Sequence, residues 1–452
     1  MKSFFYDMLH NFSALSQLNT FHPVSRGFVP PLFSGRKASA IDKNKLLEKD
    51  SNPKFSKMPS VSKKQILFPV RQTWQKGSLT NPGAARAPQK KKGVLLYGAN
   101  YVPDKIADII PQNRAPHGTD GKQAYSLIGL LYFKLSNGKI LKAPEHPIKL
   151  PIVPEQVDGL PDPRITYLKD KKGGVYLITY NAVNTAAIDK VASASKSGYL
   201  RNGARIFSTT TRDFKHYTPP IQVGPSRYEK NGVFFPKKFK ENQQHYLYLL
   251  HRTFPNIQIA KIPVKNNNIP KTLQKLNNPF ARQRYESQFD DKTLQSLTVM
   301  KPVLPWEGVA YGQTGQIAPG SQPIQVSFKG KRYWLLFYNA APQYSANPTD
   351  LGRVVGAALL DFNNPLKLLH RGNQPVIKST EPFELGEITT SQETLGTVKD
   401  VTFATGALIA NRNQLTIFYG TKDKFLAQAT LNLTALLQWL VQFDEKGQPL
   451  LS

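Results

Sequence analysis

Five segments of this chain read alike: Gly93–Tyr101 (GVLLYGANY), Gly174–Val183 (GVYLITYNAV), Gln244–Thr253 (QHYLYLLHRT), Lys331–Ala341 (KRYWLLFYNAA) and Gln414–Asp423 (QLTIFYGTKD). Each is an apolar, aromatic-rich run that reaches an anchor (Tyr97, Tyr180, His251, Tyr338 or Tyr419) and then turns polar. The anchors recur every 80 residues or so, a unit too small to bury its own apolar face and stable only when packed on its neighbours. A second run precedes each anchor by roughly the same interval, beginning at Asn81 (NPGA), Asp162 (DPRI), Val233 (VFFP), Gln322 (QPIQV) and Phe403 (FATGAL). A third run follows each, at Ala124–Leu135, Ala204–Ser208, Ile257–Val264, Val354–Phe362 and Phe425–Leu433. Alternation and enrichment in β-branched and aromatic residues make these runs strands, and Gly and Pro punctuate the gaps. Each unit reads as three strands with room for a fourth. Five such units predict an all-β fold, a five-bladed propeller around a central channel, within the usual range of about 4–8 blades. A solenoid of β-units is the alternative architecture.

Residues 1–68 fall outside the repeat, are rich in Ser, Lys, Asn and Pro, and are expected to form a mostly irregular extension to a propeller over residues 69–452. Part of this boundary region, Gln65–Trp74, is a candidate for the strand that closes the last blade. The segment Ala435–Phe443 (ALLQWLVQF) fits a short helix or a final strand equally well. There is no apolar run of about 18 residues, so no transmembrane helix is expected. Residues 1–23 lack a continuous apolar stretch, so a secretory leader is not expected either, and the cytoplasm is the anticipated compartment. The chain has no Cys, which excludes disulfides, thiolate metal sites and cysteine nucleophiles.

Sixty Lys and Arg against 30 Asp and Glu give a net charge of +30. That balance fits either a solvated basic surface or an anionic partner. The densest clusters, Lys90–Lys92, Lys169 with Lys171 and Lys172, and Lys237, Lys238 and Lys240, all fall where hairpin turns are expected. No nucleotide-binding loop, zinc signature or serine-hydrolase elbow is present, and the eight His are too scattered to form a metal set by spacing. No metal or cofactor is expected, and without a nucleic-acid module a nucleic-acid partner is not favoured.

In a propeller the ends of the innermost strands meet around the channel, so polar groups distant in sequence become neighbours. Asp162 stands in Pro161-Asp162-Pro163-Arg164, where the following proline restricts its backbone. It reads as a candidate acid or as a turn cap. Asp423 stands at the end of the fifth anchor segment with the same two readings, and Asp361 reads as a turn residue.

These motifs, taken in order from about Leu79 to Leu437, resemble glycoside hydrolase family 130, the β-mannoside phosphorylases and mannosidases. Asn81-Pro82-Gly83-Ala84 with Leu95-Leu96-Tyr97 resembles the opening blade, and Asp162-Pro163-Arg164-Ile165 the family's most characteristic motif. Ala204-Arg205-Ile206, Leu249-Leu250-His251-Arg252, Trp306-Glu307, Gly356-Ala357-Ala358 and Tyr419-Gly420 resemble the motifs that follow. The resemblance implies a five-bladed propeller and an inverting cleavage of β-mannosidic bonds. Asp162 takes the place of the general acid, which acts through a hydroxyl of the bound sugar; a carboxyl held protonated for that task needs a raised pKa. Asp423, Arg164, Tyr419 and Trp306 become candidates for holding the sugar, and Asn81, Lys230, Arg252 and Arg353 for an acceptor site that binds inorganic phosphate.

The acceptor site departs from the family pattern. Gly98 stands where the pattern has Arg, Asn339 where it has His, and Arg353 where it has Tyr. Members that use water carry carboxylates there instead, and an inverting base must lie about 6.5–9.5 Å from the acid. Glu229, Glu307 and Glu384 are the candidate bases. Two functions follow: an active enzyme cleaving β-mannosides with water or phosphate, the departures leaning toward water or an altered acceptor, or a propeller that has lost turnover and binds a glycan or another anion.

Overall fold

A computed structural model describes residues 56–67, 78–88, 91–101, 125–142, 147–148, 150, 159–183, 204–226, 229–265, 267–309, 315–341, 352–385, 400–422 and 424–450. The chain opens with β1 (Ser62–Leu67) and then builds one antiparallel sheet after another. The first blade is β2 (Ser78–Arg86), β3 (Lys92–Tyr101), β4 (Tyr125–Lys134) and β5 (Ile140–Lys142). The second is β6 (Arg164–Asp170), β7 (Gly173–Val183), β8 (Ala204–Thr211) and β9 (Ile221–Gln222). The third is β10 (Lys230–Glu241), β11 (Gln244–Thr253), β12 (Asn256–Val264) and β13 (Thr298–Met300). In the fourth, the innermost position is split between β14 (Gln316–Pro319) and β15 (Ile324–Phe328), which both pair with β16 (Lys331–Ala341), followed by β17 (Val354–Asp361) and β18 (Leu368–Arg371). The fifth is β19 (Thr402–Asn411), β20 (Gln414–Thr421) and β21 (Phe425–Asn432), completed by β1 from the N-terminal side. The molecule is a five-bladed β-propeller.

Strand β1 pairs antiparallel with β21, from Ser62↔Thr430 to Leu67↔Leu426. The closing strand therefore begins at Ser62, ahead of the expected Gln65–Trp74 segment, and shares Gln65–Leu67 with it, and a domain boundary at residue 68 would remove it. Residues 1–55, most of the expected irregular extension, lie outside the described residues. Closure by the N-terminal strand covers the edge of β21 and fastens the last blade to the start of the chain, giving the fifth blade its fourth strand.

The apolar runs bury themselves between blades. Five separate cores lie at the five blade junctions; Leu79, Tyr97, Phe418 and Leu426 join the first blade to the fifth, for example, and Trp334, Phe235 and Phe239 join the third to the fourth. The five anchors all sit on the second strand of their blade and are at most 1% exposed. Near the axis the innermost strands approach so closely that only glycine fits: a Cβ on Gly83 would lie 2.5 Å from the Pro163 carbonyl, and one on Gly406 would lie 2.6 Å from that of Pro82.

Blade three departs from the simple repeat. Between β12 and β13 the chain makes three short helices, α1 (Ile269–Gln274), α2 (Pro279–Glu286) and α3 (Asp291–Ser296). Their N-caps are Asn268, Asn278 and Asp290, each accepting a backbone N–H three residues on, and proline begins the first two. A four-residue helix, α4 (Pro382–Leu385), follows blade four, and the ambiguous C-terminal segment is helical as α5 (Leu433–Leu440), capped by Asn432. No described helix is long and apolar enough to cross a membrane. Asp361 is a turn residue, as expected: its Oδ1 accepts the N–H groups of Asn363 and Asn364 at 2.8 and 2.7 Å.

Candidate active site

Asp162, the residue before Pro163, has an unusual backbone that departs from the extended conformation proline favours in the residue preceding it. It has φ +60°, a left-handed conformation that Asp tolerates better than most residues, and its carboxylate meets side-chain amides from blades one and two. Asn81 (φ +47°) and Asn231 (φ +65°) adopt the same conformation where β2 and β10 enter the ring. These three residues bring blades one, two and three into contact. The Asn81 amide donates to Asp162 Oδ1, and the Asn181 amide donates to Oδ2 at 2.6 Å. Asn181 Oδ1 in turn accepts the Asn231 N–H at 3.1 Å. The carboxylate is thereby fixed in orientation by two amides, and one of them is itself held in place by the backbone of the next blade.

Arg164 does not reach the mouth. It is 1% exposed, and its guanidinium donates to the carbonyls of Asp162, Pro319 and Gly320 and to Asn231 Oδ1, at 2.9–3.2 Å. Burial lowers its proton affinity to about 10, opposed by Asp162 and reinforced by Arg252, so it remains charged at neutral pH. Its bonds tie blade two to blades three and four below the acid. Gln322 does the same across the other half of the ring, donating to Ala84 O at 3.3 Å and Ala407 O at 3.0 Å. Together these two side chains brace the axis beneath the mouth.

The acceptor candidates partly converge. Arg252 and Arg353 line one small cleft with Gln316, Ala318, Asn339 and Phe403, where blades three, four and five meet. The Arg353 guanidinium lies 5.5 Å from the centre of the Phe403 ring. Lys230 is the cross-strand partner of Arg252. Asn339 lines the same cleft, but its amide is engaged by the fifth blade, donating to Ala404 O and accepting Ala404 N–H at 2.9 and 2.8 Å. On blade five, Lys422 and Lys424 are both buried, and the Lys424 ammonium is pushed below its ordinary pKa by burial and then by Lys422. Asp423 lies between them, outside the described residues.

Tyr419 and Trp306, expected at the sugar, lie in the interior. The Tyr419 hydroxyl donates to Glu384 Oε1 at 2.7 Å, and Trp306 stacks on Tyr338 and donates to Asn373 O at 3.0 Å. Trp334, Phe337 and Phe418 are packing residues between blades.

The three candidate bases share a different task. Glu307 is fully buried, pairs with Arg371 at 3.1 Å and accepts the Tyr338 hydroxyl at 2.7 Å. Glu384 repeats the arrangement one blade on, with Lys63 at 2.7 Å and Tyr419. Backbone N–H groups of Val303 and Leu304, and of Thr380 and Glu381, donate to the same carboxylate oxygen that the cation engages in each pair. Burial and the adjacent carboxylates push both phenols well above the ordinary tyrosine value, so they stay protonated as donors. Glu229, 1% exposed, takes the Thr253 hydroxyl and lies 3.4 Å from His251 Nδ1 without an aligned hydrogen bond. These carboxylates pin anchor residues between blades.

Asn181 and Asn231 were not singled out from the sequence. A signal for the first existed: in a strand, side chains alternate, so the residue after each buried anchor faces the opposite side. Those residues are Gly98, Asn181, Arg252, Asn339 and Gly420, of which Asn181 bonds Asp162 while Arg252 and Asn339 line the cleft.

No family profile matches the chain. It is 24% identical over 317 residues to a β-1,2-mannobiose phosphorylase of Listeria innocua, covering 70% of each sequence. It is 23% identical over 379 residues to a 1,2-β-oligomannan phosphorylase of a Thermoanaerobacter species, covering 83% of this chain and 98% of that one. The solved Listeria innocua enzyme, in its β-1,2-mannobiose complex, superimposes with a TM-score of 0.51 at 18% identity, covering 84% of this chain and 93% of the other.

Proposed function

We propose, from the chain's place as a divergent member of glycoside hydrolase family 130, that it cleaves β-mannosidic bonds with inorganic phosphate as the acceptor. Asp162 is the general acid. Its proton passes through a hydroxyl of the bound sugar to the leaving oxygen as the glycosidic C–O bond breaks. Phosphate held by Arg252 and Arg353 attacks the anomeric carbon from the opposite face, so the products are mannose 1-phosphate of inverted configuration and the shortened saccharide. Two guanidinium groups supply the paired donors that a dianion needs. Arg353 takes over part of the contribution that the family pattern assigns to the residues replaced by Gly98 and Asn339.

Two observations support this reading: a carboxylate fixed by Asn81 and Asn181, and a cleft lined by Arg252 and Arg353, with Arg164 interacting electrostatically with both Asp162 and Arg252. Phosphate is favoured over water for a further reason. Hydrolysis by inversion needs a base open to the mouth, and Glu307, Glu384 and Glu229 are committed to interior contacts. Incubation with β-1,2-mannobiose, with and without phosphate, tests the proposal. Mannose 1-phosphate formed only with phosphate supports it. Free mannose at equal rates in both reactions would assign the chain to hydrolysis, and no product alongside measurable mannoside binding would favour a propeller that has lost turnover.

A further inference from the structure

The chain's cations are scattered in sequence, but the propeller gathers many of them. Each blade's innermost strand starts at the mouth, so its hairpin to the second strand turns at the opposite face. Four of those five turns expose lysines: Lys91 and Lys92, Lys171 and Lys172, Lys240, and Lys329 with Lys331. The fifth exposes Arg412. The turns adjoin one another around the ring. Lys238 Nζ of blade three reaches the Lys169 carbonyl of blade two at 3.4 Å, and Arg86 of blade one reaches the Ile409 carbonyl of blade five at 2.5 Å. Lys237 of blade three and Arg332 of blade four both lie over the Phe362 ring, at 4.0 and 4.2 Å.

The carboxylates at these turns do not offset this charge. Asp170 is buried against Arg212 at 2.8 Å, Glu241 is paired with Lys261 at 2.8 Å, and Asp361 caps its own turn. Crowding of like charges around one ring is unfavourable in the free protein: Lys237 is shifted below the ordinary lysine value by burial and then by Arg332. A surface that tolerates such crowding is suited to a negative partner.

We propose that the face opposite the mouth docks flat on an anionic lipid bilayer, leaving the mouth directed into solution. The chemistry of the turns favours a bilayer over nucleic acid. Their exposed cations are mostly lysines, compact and flexible point charges suited to diffuse negative surface charge rather than to bidentate reading of phosphates or bases. Their exposed tips, residues 91–92, 171–173, 242–243, 329–332 and 411–413, contain no aromatic side chain on which an unpaired base could stack. Five turns ending at one face of a ring present a broad surface rather than a groove that follows one strand.

The full chain would be mixed with phosphatidylcholine vesicles, with or without about 30% phosphatidylserine, and recovered by flotation at low salt and at about 0.5 M salt. Binding is expected only to the phosphatidylserine vesicles, and only at low salt. The triple variant Lys171→Glu, Lys240→Glu, Lys329→Glu changes exposed residues on three neighbouring blades. It should bind those vesicles at least on the order of 100-fold more weakly, with its melting temperature and mannobiose cleavage unchanged. Three results would overturn the proposal: no flotation with phosphatidylserine vesicles at low salt, equal flotation of the triple variant, or tighter binding to single-stranded RNA or duplex DNA than to the vesicles.

Discussion

Asp162→Asn separates chemistry from architecture at the proposed acid. The substitution keeps shape and removes the proton. An amide in place of the carboxylate sets one NH2 group against a neighbouring donor. Asn181 cannot rotate to accommodate it, because its Oδ1 holds the Asn231 N–H at 3.1 Å. Asn81 can, because its own Oδ1 is buried without a partner and becomes an acceptor once the side-chain amide turns over. The folding cost is then the difference between charge-assisted and neutral hydrogen bonds, about 1 kcal/mol. The catalytic cost is far larger, since a positioned general acid contributes about 10²–10⁴-fold, or roughly 3–5 kcal/mol of barrier. Initial rates of mannose 1-phosphate formation from β-1,2-mannobiose would be read beside a thermal melt. Asp162→Ala provides the contrast: it leaves the Asn181 amide without its acceptor, at about 1–3 kcal/mol for a buried unsatisfied donor, and should lower the melting temperature further than Asp162→Asn. If Asp162→Asn retains activity within about threefold of the parent while folding normally, Asp162 is not the acid and the mechanism fails.

Glu307→Gln leaves the buried Arg371 guanidinium without its counter-charge and should destabilise the fold by about 3–5 kcal/mol; a normal melt with lost turnover would instead restore Glu307 as a base. Arg353→Ala should raise the KM for phosphate by about 10–100-fold, the equivalent of one or two charge-assisted bonds, with the KM for mannobiose little changed; an unchanged phosphate KM would remove Arg353 from the acceptor site. Tyr338 and Tyr419 have folded pKa values raised above their unfolded value, so the stability they contribute is complete below about pH 10 and is lost as pH rises beyond it. Thermal melts across that range should fall with pH, and Tyr338→Phe with Tyr419→Phe should flatten the dependence. Deleting residues 1–67 removes β1 and exposes the edge of β21; light scattering should then report self-association, which a monomeric, fully folded product would contradict.

Much of the fold was legible because the repeat is carried by the second strand of each blade. Those strands are buried on both faces, so their apolar runs are long and their anchors evenly spaced. The helical excursion over Ile269–Ser296 was not recognised, although Asn268, Asn278 and Asp290 are ordinary cap residues and Pro270 and Pro279 mark helix starts. Its helices have only six to eight residues, too few for a 3.6-residue period to stand out. Asp162 could be singled out because a proline follows it. Arg164, two residues later, looked equally well placed for a ligand, yet lies under the mouth and braces three blades. The difference is one of direction: Asp162 has a left-handed backbone and Arg164 belongs to the regular strand.

The sequence by itself determined the number of units, their β character and the acidic residue at the entrance to the second blade, because these depend on local periodicity and on the backbone limits set by proline. Which carboxylates face the mouth and which pin one blade to the next was decided only by the tertiary structure. Glu307 and Glu384 look as available in sequence as Asp162 does, and they differ because ring closure brings Arg371 and Lys63 to them while it brings two asparagine amides to Asp162. A charged group's role depends on which partners replace its lost water, and in a closed ring those partners come from elsewhere in the chain.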